Sequence, residues 1–166
     1  MPILDQNAFE FISRSADQTR RLGMHLGALL HSGDVILLQG DLGAGKTTFT
    51  QGLASGWGSQ DTALSPTFVL INQYRRPDGE QFHHLDAYRL RNAEDAEDLD
   101  LDALLANGIL VVEWPEKISV ALPAEALHLK FNWVADEQRA IFLEPHGARY
   151  RQLVKAFQNE AFKGTL

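Results

Sequence analysis

One stretch, Val35–Phe49, limits what this chain can fold into more than any other. It reads VILLQGDLGAGKTTF, an aliphatic run that passes into three glycines, a lysine and two threonines. A short run apolar at every position suits a strand buried on both faces, as in the centre of a parallel sheet. The segment Gly40-Asp41-Leu42-Gly43-Ala44-Gly45-Lys46-Thr47 fits the pattern G-x-x-x-x-G-K-[ST] without a mismatch. Each residue type has a physical task there. Glycines permit the torsions that turn successive backbone N–H groups toward one phosphate chain. A helix opening near Lys46 offers free N–H groups and a partial positive charge to the same anion. The Lys46 ammonium can reach the β- and γ-phosphates, and the Thr47 hydroxyl suits Mg²⁺.

The rest of the chain alternates between strand and helix patterns. A strand is expected over Phe9–Ile12. Ser15-Ala16-Asp17-Gln18 has the spacing of a helix cap, and Leu22, Leu26, Leu29 and Leu30 follow at helical intervals until "HSGD" stops them. The helix after the glycine loop should run from Lys46 to about Trp57, with Phe49 and Leu53 on one face. Thr67–Tyr74 and Gln81–Leu85 flank "RRPDGE", which predicts a hairpin. Leu99–Ala106 reads as a helix stopped by Asn107-Gly108, and Ile109–Glu113 as a second buried strand. Leu127–Val134 and Ala140–Leu143 suggest another hairpin. Tyr150, Leu153, Val154, Phe157 and Ala161 share a helical face, so residues 146–166 should hold a docked terminal helix. The expected fold class is α/β: one P-loop NTPase-like domain over residues 1–166, its mixed sheet having a parallel core, antiparallel hairpins and flanking helices.

Charge narrows the partners. The formal net charge is −7, with much of the acid in "EDAEDLDLD" between Glu94 and Asp102. A chain that grips nucleic acid alone usually shows a basic face, and none is evident here. The acidic run reads as a solvated helix start or loop; the alternative is a surface that meets a basic partner. The 166 residues suit a single domain, and the absence of cysteine excludes disulfides and thiolate metal sites. The start lacks the pattern of a secretory signal, and no apolar run approaches the roughly 18 residues of a membrane span. A soluble cytoplasmic protein without a membrane partner is expected.

A phosphate-loop enzyme also needs an acid near its metal. Glu113 ends "GILVVE" and Asp86 follows "FHHL", so both stand at strand ends. Lys46, Asp86 and Glu113 are the catalytic candidates. Glu113 is expected to hold Mg²⁺ together with Thr47, while Asp86 orients water, although these two roles are interchangeable at this level. Ser65 and Thr67 in "SPTF", with His84, Tyr88 and Arg89 around "HLDAYR", occupy switch-like positions. Ser65 and Thr67 could equally start a strand, and Arg89 could pair with the acidic run. Trp114 suits stacking on a base or filling a core gap. No histidine shows metal-ligand spacing.

Taken in order and spacing, "GDLGAGKTTF", "SPTF", "HLDAYRL" and "VEWPE" resemble the bacterial TsaE family, across roughly Ile12 to Pro145. That family is the ATPase component in biosynthesis of threonylcarbamoyladenosine in tRNA. The resemblance implies ATP and Mg²⁺ as ligands, with Lys46, Thr47, Asp86 and Glu113 at functional positions. Thr48 would assist at the α/β-phosphates, Trp114 would lie beside the site, and adenine would sit near Ser15–Thr19. It also implies two partners, a threonylcarbamoyl transferase (TsaD-like) and its non-catalytic relative (TsaB-like), with tRNA reached through them. A small-molecule kinase fits less well, since no arginine-rich lid segment appears, and no guanine-reading Asn/Thr-Lys-x-Asp segment is present.

Overall fold

The computed structural model describes residues 8–41, 43–60 and 71–162. In chain order its elements are β1 (Phe9–Ser13), α1 (Ala16–Gly27), β2 (Val35–Gly40), α2 (Lys46–Trp57), β3 (Ile71–Arg75), β4 (Gln81–Asp86), α3 (Ala93–Glu97), α4 (Leu101–Leu105), β5 (Gly108–Glu113), β6 (Ala126–Ala135), β7 (Gln138–His146) and α5 (Ala148–Ala161). The strands form one seven-stranded sheet in the order β1-β7-β6-β2-β5-β4-β3. Strands β6, β2, β5 and β4 run parallel, while antiparallel pairing adds β7 to β6 and β1 to β7 on one flank and β3 to β4 on the other. The α/β class with a parallel core and antiparallel hairpins is as the sequence predicts.

The apolar run of β2 is buried because parallel neighbours flank it and side chains cover both faces. Ile36 and Leu38 point into a core with Leu22 and Leu26 of α1, Phe49 and Leu53 of α2, and Phe157 of α5. Val35 and Leu37 face the opposite core, with Leu85, Leu110, Val112, Leu101 and Ile118. Each such fully buried large side chain contributes about 1.5–3 kcal/mol. The terminal helix packs on the body of the same chain. Tyr150 of α5 accepts a hydrogen bond from the Val35 amide at 2.9 Å, and Arg149 donates to both carboxylate oxygens of Asp34 at 3.0 and 2.8 Å.

The start of α1 follows its predicted cap. The Ser15 hydroxyl accepts from the Gln18 amide at 3.0 Å, while the Gln18 side chain accepts from the Arg14 amide at 2.7 Å, one residue earlier than a capping box requires. Helices α1 and α2 then cross with almost nothing between their backbones. A β-carbon on Gly23 or Gly27 would strike the carbonyl oxygen of Phe49 or Leu53, and one on Gly52 or Gly56 that of Arg20 or Met24. The two Gly-x-x-x-Gly pairs thus interlock.

Two expectations change in detail. The helix expected over Leu99–Ala106 is α4, which starts only at Leu101 because Asp100, at φ 50°, caps it, and a further short helix, α3, capped by Asn92, precedes it in the acidic run. Gly108 is the first residue of β5 and not a helix stop. Of the strand expected over Thr67–Tyr74, residues 67–70 lie outside the described residues, and Ile71–Arg75 pairs with β4 as the hairpin requires.

His83 on β4 is buried, and this burial lowers its pKa against the opposing hydrogen bond to the Leu104 backbone. Below pH about 6.5 the unfolded chain therefore takes up a proton that the folded chain refuses. Stability should fall as pH drops from 7 toward 5.5, and His83→Gln should remove part of that slope. Melting temperatures across the range test this; an unchanged slope contradicts it.

Candidate functional site

The carboxyl ends of β2, β4 and β5 converge on the start of α2. Gly43 and Gly45 hold positive φ angles of 79° and 99°, and Gly45 caps α2 without any side-chain hydrogen bond. The first-turn amides of such a helix have no intrahelical acceptor, so they present donors to whatever lies before them. Gly40 could not be replaced, since a β-carbon there would crowd the Phe131 carbonyl at 2.6 Å.

The Lys46 side chain reaches back to donate to the Gly40 carbonyl, and its ammonium lies 3.6 Å from the centre of the Trp114 ring. Burial pulls the Lys46 pKa below the ordinary lysine range, while the charges of Glu113, Glu116, Asp86 and Asp41 oppose that shift. Thr47 donates to one oxygen of Glu113 at 3.4 Å, and the other oxygen lies 2.8 Å from Nε2 of His84. Glu113 is 4% exposed and His84 1%, so the carboxylate is anchored from inside the fold. Asp86 stands in register with Glu113 on the adjacent strand. Its carboxylate accepts from the Tyr88 amide at 3.0 Å, capping a short 3-10 turn over Ala87–Arg89. Trp114 follows Glu113 at φ 60°, a strained conformation for a bulky residue, and its ring meets Tyr88 at 5.1 Å.

These groups line one cleft of about 270 Å³. Lys46, Thr47, Thr48, Asp86, Glu113 and Trp114 face it together with Gly43 and Gly45. Not every candidate arrives there. Gly40 and Asp41 form the base of the loop, Ala44 is buried, Arg89 is exposed outside the cleft lining, and His84 lies beneath Glu113. Leu42, Ser65 and Thr67 fall outside the described residues.

Four lining residues were not among the candidates: Ala16 and Thr19 of α1, Glu137 of the β6–β7 turn, and Arg139 at the start of β7. Ala16 and Thr19 fall within the segment expected near adenine. Arg139 donates to the Gly43 carbonyl from Nη2 at 2.9 Å and from Nε at 3.3 Å. It also holds the Ala135 and Gln138 carbonyls at 3.0 and 2.9 Å, which ties the hairpin to the glycine loop. In sequence it is one arginine after a polar turn, 96 positions from its partner, and no local pattern marks it.

The donor set fits a polyphosphate: backbone amides and one ammonium surround the cleft floor. The Thr47 hydroxyl beside the Glu113 carboxylate offers hard oxygen donors suited to Mg²⁺. Among the described residues no group of three or more His, Cys, Asp or Glu could hold a metal. A cation here would draw its remaining ligands from phosphate and water, as Mg²⁺ commonly does. No helix among the described residues is long and apolar enough to cross a membrane.

Comparison with known proteins adds independent findings. Residues 13–141 match the family described as "Threonylcarbamoyl adenosine biosynthesis protein TsaE". A Streptomyces coelicolor protein named "tRNA threonylcarbamoyladenosine biosynthesis protein TsaE" is 41% identical over 79% of this chain and 93% of its own length. A Bacillus subtilis protein of the same name is 39% identical, covering 82% and 85% respectively. The crystal structure of Bacillus subtilis YdiB superposes with a TM-score of 0.77 at 30% identity, covering 96% of this chain and 98% of that one.

Proposed function

The chain belongs to the TsaE family, and on that premise we propose that it binds and slowly hydrolyses ATP in the service of tRNA threonylcarbamoyladenosine biosynthesis. The observation that carries this reading is the convergence of the α2 amides, Lys46 and the Thr47–Glu113 pair on one cleft. Backbone amides of residues 43–48 and the Lys46 ammonium hold the β- and γ-phosphates, for which Lys46 must leave the Gly40 carbonyl. Thr47 and Glu113 would hold Mg²⁺, which would supply positive charge against that developing on the phosphates. Asp86, less buried than Glu113, orients the attacking water. Ala16 and Thr19 form the wall for the base. Residues 1–166 act as one ATPase domain in the cytoplasm.

An arginine supplied in trans raises hydrolysis by about 10³–10⁵ in related chemistry. Arg139 is committed to three backbone carbonyls. Membership of the TsaE family supports two partners, a TsaD-like threonylcarbamoyl transferase and its non-catalytic TsaB-like relative, which the protein resets between rounds and through which it reaches tRNA, with any arginine in trans supplied by them. The test is phosphate release from Mg·ATP by the protein alone and with both partners. Slow turnover alone and a marked rise in the complex are expected. Equal rates would refute partner stimulation, and no ATP binding at millimolar concentration would refute the whole reading.

Arg139→Ala frees the glycine loop from the hairpin without emptying the core. Affinity for a fluorescent ADP analogue should fall about tenfold, which corresponds to about 1.4 kcal/mol. The melting temperature should change little. Unaltered affinity would show that the loop holds its shape unaided.

A further inference from the structure

We propose that His84 is a positioning residue, whose task is to present Glu113 to the cation. The proposal rests on the reading that Thr47 and Glu113 form the cation's oxygen pair, and it adds what makes that pair competent. His84 sits in register with Val111, two residues before Glu113 on the neighbouring parallel strand. Residues i and i+2 of a strand share a face, so imidazole and carboxylate meet diagonally across the ladder. The contact is short, 2.8 Å, and both side chains are almost wholly removed from solvent, at 2% and 6% exposure.

The two oxygens of Glu113 are held unequally. Oε2 has the His84 nitrogen as a close partner, whereas Oε1 has only the Thr47 hydroxyl at 3.4 Å. A carboxylate anchored on one side and loosely held on the other has one oxygen ready to change partners. Toward a carboxylate oxygen Nε2 serves as the donor, which leaves Nδ1 to find a partner of its own. That Nδ1 is buried with no hydrogen-bond partner among the described residues. An orphaned buried polar atom forfeits its hydration without a bond in return, so a residue chosen for packing alone would be apolar. The bond to Glu113 is what histidine offers here that leucine or methionine does not. Groups that hold the far side of a metal ligand typically change metal affinity 10–100-fold when removed.

The test uses the full chain and a non-hydrolysable ATP analogue, titrated with and without Mg²⁺. The measured quantity is the factor by which Mg²⁺ tightens binding. His84→Gln places an amide N–H near the position of Nε2 and should keep most of that factor. His84→Asn is too short to reach Oε2, and His84→Met carries no donor; both should lose about tenfold of it. Metal-free affinity should stay constant in all three. A full Mg²⁺ effect in the Asn and Met variants, or an equal loss in Gln and Met, overturns the proposal. Should His84→Met fail to fold, the contrast between Gln and Asn decides the same question. Glu113→Gln distinguishes failure of the cation site from failure of the histidine's role. If it too keeps the full Mg²⁺ effect, the cation reading itself fails; if it loses the effect while the His84 variants keep it, only the role of His84 fails.

Discussion

Gly52→Val should destabilise the protein by about 3 kcal/mol or more, although glycine-to-larger changes inside helices normally improve helix propensity. The propensity gain is under about 1 kcal/mol. Against it stands a β-carbon driven into the Arg20 carbonyl, a backbone atom that cannot rotate aside as a side chain could. Relief requires α1 and α2 to separate, which loosens the packing of Leu22, Leu26, Phe49 and Leu53. For a chain of this length the loss corresponds to a fall in melting temperature of about 6–12 °C. The damage should also reach the nucleotide cleft, because α1 contributes Ala16 and Thr19 to one wall and α2 contributes Lys46 and Thr47 to the floor. Calorimetry and analogue binding on the same sample check both effects. A melting point within 2–3 °C of the parent, a shift worth only about 1 kcal/mol, would mean that the helices have slack that the geometry does not show.

Lys46→Ala should lower ATP turnover about 10²–10³-fold, the usual scale for losing one preorganised donor to a charge-bearing oxygen. The fold should survive, since the ammonium holds only the Gly40 carbonyl and the Trp114 face. Glu113→Gln should produce a similar loss by a separate route. It keeps the shape of the side chain and an oxygen that Thr47 can meet, yet removes the negative charge that a divalent cation requires. Single-turnover phosphate release separates the two: Lys46→Ala should weaken binding and rate together, while Glu113→Gln should spare metal-free nucleotide binding. Turnover near the parental level in Glu113→Gln would transfer the metal role to Asp86.

The phosphate loop was legible because its chemistry is local. Three glycines, a lysine and a threonine act within eight consecutive positions, and the apolar strand ahead of them carries its own signature. The helix over Lys46–Trp57 and the hairpin around Pro77–Glu80 were equally plain, for the same reason. What escaped the sequence depends on contacts between distant segments. Arg139 gains its meaning only when β7 lies beside β6 and β6 beside β2. The spacing of Gly23, Gly27, Gly52 and Gly56 reads as weak helix until the two helices are seen to cross at that point. His84 could be placed near the site by its motif, but its bond to Glu113 needs the register of β4 against β5. The start of α4 moves from Leu99 to Leu101 because a left-handed aspartate, Asp100, caps it, a role that the apolar spacing of Leu99–Ala106 does not mark.

The position of β2 also bears on how this protein is made. Its lateral neighbours are residues 110–113 on one side and 127–131 on the other, both far downstream. During synthesis, at roughly 5–20 residues per second, the aliphatic run must wait several seconds before either neighbour leaves the ribosome. Such distant pairings also slow the search for the native arrangement. Nascent chains arrested before residue 126 should consequently be sticky and chaperone-bound, and only near-complete ones should resist protease.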